Sequence, residues 1–258
     1  MIYTVSNQKG GVGKTTTTIN IGVYLARLGK KVLLIDLDPQ ANLTSGLGYG
    51  KNRESEKGVL NKTIYNVMTG DAKIGDIFIT TNTKNLFLAP SSIDLAGAEV
   101  ELVNQMSRET ILKNAIEGTK RNFDYILIDC PPSLGILTIN AFVAADKILI
   151  PVQCEYYALE GLGQLLNTIK LVKTRLNNTL DIGGVILTMF DTRTNLAHQV
   201  AKDVREFFGE KVFKSVVPRN VRLSEAPSHG KSIADYDPNS TGAFAYEHLA
   251  KEIISLKT

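Results

Sequence analysis

Apolar residues in this chain gather in short unbroken runs instead of alternating with polar ones. Residues 2–6, 31–36, 125–129, 147–151 and 184–188 are such runs, rich in Ile, Val and Leu. Continuous runs suit strands whose two faces are both covered by helices. Helical patterns occupy the intervals, most clearly at residues 16–28, 159–176 and 195–208. The order predicts an α/β fold, a doubly wound and mostly parallel sheet flanked by helices. A chain of 258 residues is long enough to bury a sizeable core, and residues 1–258 read as a single domain. Between residues 63 and 121 the pattern gives helices and a strand at Leu86-Phe87-Leu88. Residues 46–58, polar and charged with Gly48 and Gly50, read as a mobile surface loop. The tail from Tyr246 to Lys257 has apolar spacing with only two lysines, as in a closing helix packed on the domain.

Composition changes this picture little. Hydrophobic residues make up 43% and charged residues 21%, the proportions of an ordinary globular protein. No run of 18 apolar residues occurs and the N-terminus lacks a signal-peptide pattern, so a cytoplasmic location is expected. Cys130 and Cys154 form no Cys-x-x-Cys pair, and His198, His229 and His248 show no metal-ligand spacing. The net charge is +3, yet residues 193–231 hold eight Lys/Arg against four Asp/Glu. A basic face confined to the C-terminal third suits a polyanionic partner, and a solvated helix face accounts for the charge equally well.

The chemistry is concentrated at the ends of the predicted strands. Lys9-Gly10-Gly11-Val12-Gly13-Lys14-Thr15-Thr16 lies between the first strand and the first helix. It fits the phosphate-loop pattern G-x-x-x-x-G-K-[ST] once the first Gly is relaxed, because Gln8 and Lys9 stand where a Gly-led loop begins. Glycines let successive backbone N–H groups close around a phosphate. Lys14 supplies a point charge to the outer phosphates, and the Thr15 hydroxyl is placed to hold Mg²⁺. Asp36 closes the second strand, in a position to accept bonds from the loop or a metal-bound water. Asp38, just beyond it, is a candidate to orient the attacking water; a turn-forming Asp before Pro39 explains it as well. Asp129, at the end of another strand, occupies the second-sphere magnesium position. Lys9 is a second cation in a loop that already has Lys14. Reaching the nucleotide of a partner subunit gives it a purpose, as an arginine finger acting in trans.

These motifs closely resemble the ParA/Soj family of chromosome and plasmid partition ATPases, P-loop NTPases of the deviant Walker A (SIMIBI, MinD-like) type. The resemblance runs through essentially the whole chain. Asn7–Thr16, Asp36-Leu37-Asp38-Pro39-Gln40 and Ile128-Asp129-Cys130-Pro131-Pro132-Ser133 match the wider group. Residues 151–161 and 218–228 match the Soj-like branch. The resemblance implies ATP and Mg²⁺ as ligands and a homodimer that forms on ATP binding, with Lys9 contacting the opposite nucleotide. It implies that Lys14 and Asp38 serve hydrolysis and that Gly10, Gly11, Val12, Gly13 and Thr16 hold ATP with Lys9, Lys14 and Thr15. Pro218 and Asn220 are then at the adenine, and Thr15, Asp36 and Asp129 at the metal. The ATP-bound dimer is expected to bind DNA without sequence preference and so to be nucleoid-associated. Intrinsic hydrolysis is expected to be weak and stimulated by a ParB-like centromere-binding protein. Arg193 and Arg222 match DNA-contacting positions; Arg219, Lys202 and Lys211 are added from local charge. No helix-turn-helix segment precedes Ile2, so specific operator binding is not expected.

Three other readings use the same fold. A MinD-like, membrane-associated regulator of division positioning needs a C-terminal amphipathic helix with a basic face, and two lysines make stable membrane association unexpected. An iron–sulfur carrier needs cluster-ligating cysteines at suitable spacing. A metabolic ATP-dependent ligase or kinase needs an acceptor pocket, for which no motif is present.

Overall fold

The computed structural model describes residues 1–50, 62–155 and 162–256. The greater part of the expected loop at 46–58 and residues 156–161 of the Soj-like motif lie outside the described residues.

Among the described residues seven strands form one sheet: β1 (Ile2–Val5), β2 (Val32–Asp36), β3 (Ile79–Thr80), β4 (Leu86–Ala89), β5 (Tyr125–Asp129), β6 (Lys147–Gln153) and β7 (Asp181–Thr188). Their order is β3-β4-β2-β5-β1-β6-β7. Every pairing is parallel except that of β3 with β4. Helices cover both faces, which explains the unbroken apolar runs. Successive residues of a strand point to opposite faces, so Leu33 and Ile35 enter one core while Val32 and Leu34 enter the other. Tyr125 and Leu127 likewise face away from Ile126 and Ile128.

One core packs the strands on helix α1 (Lys14–Arg27) and the closing helix Thr241–Ser255, through Ile19, Ile21, Val23, Tyr246, Leu249 and Ile253. The other packs them on Ile136–Ala144, Leu162–Arg175 and Asn195–Phe208. The closing helix has its apolar face buried in the first of these cores.

Register sets the functional edge. Asp36 pairs with Asp129 across β2 and β5, and Val5 pairs with Asp129 across β1 and β5. The carboxyl ends of the three central strands therefore finish level with one another, the edge at which parallel sheets take ligands. Pro151 lies inside β6, beyond the part that pairs with β1. Its missing N–H costs no bond to that neighbour, and its carbonyl accepts a bond from Asn7 Nδ2 at 2.7 Å.

Candidate nucleotide site

The loop between β1 and α1 is held in shape by its glycines and by bonds to neighbouring segments. Gly11 and Gly13 have φ of +74° and +86°, a left-handed region costing other residues about 1–2 kcal/mol. Gly13 is the cap residue from which α1 starts, so Lys14 and Thr15 open the helix and its N–H groups face the loop. The helix thus begins two residues before the sequence pattern placed it. The loop is tied at several points. Lys9 N–H donates to Asn7 Oδ1 at 3.0 Å, and Lys14 Nζ donates to the Lys9 carbonyl at 3.2 Å. Thr188 Oγ1, at the end of β7, donates to the Val12 carbonyl at 2.9 Å. A side chain at Gly10 or Gly11 would meet nothing within 4 Å; glycine there leaves the backbone open to a ligand.

Three carboxylates stand beside the loop. Asp129 is fully buried and accepts bonds from Thr15 Oγ1 at 2.7 Å and Thr18 Oγ1 at 3.1 Å. Asp36, also buried, accepts from the backbone N–H of Thr44 at 2.8 Å and its hydroxyl at 2.6 Å. Thr44 belongs to the short helix α2 (Asn42–Gly46), so Asp36 anchors the segment that carries Asp38. Asp38 Oδ1 accepts from Gln40 N–H at 2.9 Å.

Burial pushes the Asp36 carboxyl up to about 6 against the threonine bonds. Burial, with Asp36 as a like-charged neighbour, pushes Asp129 up to about 8. Lys14 is drawn down by burial, an effect that Asp129 opposes. Three buried acids, Asp36, Asp38 and Asp129, with Lys14 the one buried cation beside them among the described residues, form a site short of positive charge. The oxygen donors are Thr15, Asp36 and Asp129, a set suited to a hard divalent ion that keeps much of its water. The residues present therefore fit Mg²⁺ together with a bound phosphate chain.

Beside Gly13 and Thr16 opens a cleft of about 370 Å³ walled by Thr188, Met189, Pro218, Asn220, Leu223 and Tyr246. Its outer wall is stitched to β7 and to the segment just after it: Val217 N–H donates to Leu187 O at 2.9 Å and Arg219 N–H to Phe190 O at 2.9 Å. Asn220 Oδ1 caps the short helix Val221–Glu225 by accepting from Arg222 N–H at 2.8 Å, while its Nδ2 donates to Thr241 Oγ1 at 3.0 Å. Both ends of that side chain hold the wall in place.

Sequence reasoning missed Thr18, Thr44, Asn7 and Thr188. Thr18 was detectable, four residues after Lys14 on the face of α1 that follows the loop. Nothing in the spacing marks Thr44 or Thr188.

Arg219 lines the cleft, Arg193 and Arg222 do not, and each of the three sits against a carboxylate. Arg193 makes a two-pronged contact with Asp191, at 2.9 and 2.7 Å. Arg219 meets Glu155 at 2.7 Å. Arg222 meets Glu225 at 2.9 Å and Asp237 at 3.6 Å. Lys211 pairs with Asp181 at 3.0 Å and Lys202 approaches Glu206 at 3.7 Å. The local excess of charge in the sequence is thus partly answered within the fold. Cys130 and Cys154 are buried free thiols, pushed up by burial to about 12 and about 11. Among the described residues no helix is long and apolar enough to cross a membrane.

Known proteins resemble this chain in sequence and in fold. A family model described as an AAA domain matches residues 1–182. The chain is 58% identical over 252 residues to the sporulation initiation inhibitor protein Soj of Bacillus subtilis, covering 98% of this chain and 97% of that one. It is 49% identical over 256 residues to the chromosome partitioning protein ParA of Caulobacter vibrioides, covering 98% and 94%. Among solved structures it resembles cobyrinic acid a,c-diamide synthase of Mycobacterium smegmatis with bound ADP and magnesium, at a TM-score of 0.84 and 37% identity over 98% and 93% of the chains. It also resembles the cell division ATPase MinD of Pyrococcus furiosus, at a TM-score of 0.78 and 29% identity over 99% and 98%. A phosphate loop with a second lysine, level carboxylates at the strand ends and this degree of identity along the whole length lead to one conclusion: the chain belongs to the Soj/ParA family of chromosome-partitioning ATPases.

Proposed function

We propose that the protein is a magnesium-dependent ATPase that works as a dimerisation switch in DNA segregation. The observation that carries this reading is Lys9, a second lysine in a loop whose first, Lys14, is already turned inward onto the Lys9 carbonyl. Lys14 serves the nucleotide of its own subunit, and Lys9 is left to neutralise phosphate charge across a dimer interface. Gly10 to Thr16 surround the phosphates, and the cleft at Pro218 and Asn220 takes the base. Thr15, with Asp36 and Asp129 behind it, holds Mg²⁺, which supplies charge neutralisation at the phosphates. Asp38 orients the attacking water, and its loop, anchored through Thr44, senses whether the outer phosphate is present.

The ATP-bound dimer binds DNA through phosphate contacts from Arg193, Arg222 and Arg219, without reading sequence. A ParB-like centromere-binding partner stimulates an otherwise slow hydrolysis and so releases the dimer from the nucleoid. The closing helix supports DNA over lipid as the surface bound, since Tyr246, Leu249 and Ile253 are buried in the core shared with α1.

The test is DNA binding and sedimentation with ATP, with ADP and without nucleotide. The reading expects a dimer that binds unrelated DNA sequences only with ATP. Lys9→Ala should remain a monomer that still binds ATP; a Lys9→Ala protein that dimerised and turned over ATP normally would overturn the switch. Absence of DNA binding in every nucleotide state would overturn the segregation role.

A further inference from the structure

We infer that an apolar strip running from Ile93 to Met106, with the cavity at its head, is the docking surface for a basic amphipathic segment of a protein partner. Ile93, Val100, Val103 and Met106 are between 56% and 95% exposed. Four large apolar side chains laid bare within fourteen residues form a strip, where isolated ones would need no explanation. Val100 and Val103 are three apart, on one side of the helix Leu95–Glu101 and the turn that continues it, and Ile93 lies in the turn just before that helix. The inward side of the same segment is spent on the core through Leu95, Ala98 and Leu102.

Charge and cavity chemistry identify the occupant. Residues 85–107 contain Asp94, Glu99 and Glu101 and no Lys or Arg. Arg108, at the far end, is engaged by Glu109 at 3.2 Å. Asp94, Glu99 and Glu101 outnumber Arg108, whose guanidinium donates to the Val103 carbonyl, so the strip complements a helix with one apolar and one cationic face. At the head of the strip Ile93 borders a cavity of about 370 Å³ with Pro39, Gln40, Tyr49 and Ser91, and among the described residues no charged side chain lines it. Ser91 is 1% exposed, and its Oγ makes no hydrogen bond among the described residues. A buried hydroxyl without a partner is costly, and an uncharged side chain entering the cavity would satisfy it.

The surface touches both loops beside the carboxylates. Ser91 N–H donates to Thr44 Oγ1 at 3.0 Å, and Thr44 holds Asp36. Glu99 Oε1 lies 2.8 Å from where a side chain at Gly135 would begin, in the loop that follows Asp129. The docking surface itself does not depend on the function proposed above.

The experiment is fluorescence anisotropy with a labelled fourteen-residue helix of leucine and lysine on opposite faces, against its leucine–glutamate counterpart. The protein's net charge is +3, so general attraction would favour the acidic peptide. The inference expects the basic peptide to bind at least about tenfold tighter. The double variant Val100→Ser, Val103→Ser should weaken it by about tenfold, and Asp94→Asn with Glu101→Gln should weaken it less and flatten its salt dependence. Thermal melts establish that these surface variants are folded. Equal binding of the two peptides, or unchanged binding by the valine variant, would overturn the inference. So would sedimentation showing that the nucleotide-free protein pairs through this strip and that the valine variant abolishes the pairing.

Discussion

Asp36 and Asp129 face one another at the ends of paired strands, and each is buried. Their carboxyls are raised to about 6 and about 8. In the nucleotide-free, chelator-treated protein the folded state therefore keeps protons that the unfolded chain has released by about pH 4. Where the folded state binds more protons, stability falls as pH rises. Melting temperature should thus decline between about pH 5 and 8, and Asp129→Asn should flatten the decline while raising stability at the alkaline end. A melt series that rises with pH over this window would contradict the arrangement. Thr44→Val removes two bonds to buried Asp36 only in part, since the backbone N–H remains. The loss of its hydroxyl should cost about 1–3 kcal/mol in urea unfolding. At this scale the sequence was most legible where chemistry demands a fixed spacing. The loop glycines, Lys14, Thr15 and the strand-end aspartates stand where pattern placed them. Thr44 was hidden because a turn of α2, rather than any periodicity, brings it back onto Asp36.

Elements were legible to the extent that they bury apolar surface on both sides. The central strands match the runs in the sequence within a few residues, and the expected strand at Leu86–Leu88 extends to Ala89. β3 has only two residues, one of them exposed, which leaves no run to read. The closing helix was recognised from its apolar spacing, and Leu249 at its centre is fully buried. Leu249→Ala should cost about 2–5 kcal/mol, measured by chemical unfolding. A contact with no trace in hydrophobic pattern joins two turns. Gly48 and Gly230 have φ of +84° and +63°. A side chain on Gly230 would begin 2.7 Å from the Gly48 backbone. Gly230→Ala should therefore cost about 2–4 kcal/mol, combining left-handed strain with overpacking. Gly70→Ala, with φ of +94° and open space around it, should cost only about 1–2 kcal/mol. Equal losses in the two variants would show that the backbones do not meet.

For the whole molecule, net charge was the least reliable guide. A count of basic residues takes no account of pairing, and Arg193, Arg219 and Arg222 each have a carboxylate within 3 Å. Under the proposed function, DNA would compete with those partners. Arg193→Ala and Arg222→Ala should weaken ATP-dependent DNA binding and lessen its salt dependence. Asp191→Asn, which frees Arg193, should tighten binding by about two- to fivefold, the scale of an exposed ion pair. Fold class was legible because every central strand carries its own signal; the order β2-β5-β1 was not, since no local pattern records it. That order has a consequence for synthesis. Thr15 and Asp129 are bonded to each other across 114 residues of sequence. A chain arrested on the ribosome before residue 129 has its glycine loop but lacks the carboxylate that completes the site. Contacts this distant must wait for their loops to close, so the Thr15–Asp129 bond forms only once β1 and β5 are paired. Ligand bound thereafter holds all three strands together by mass action, making nucleotide a selective stabiliser of chains that have completed folding.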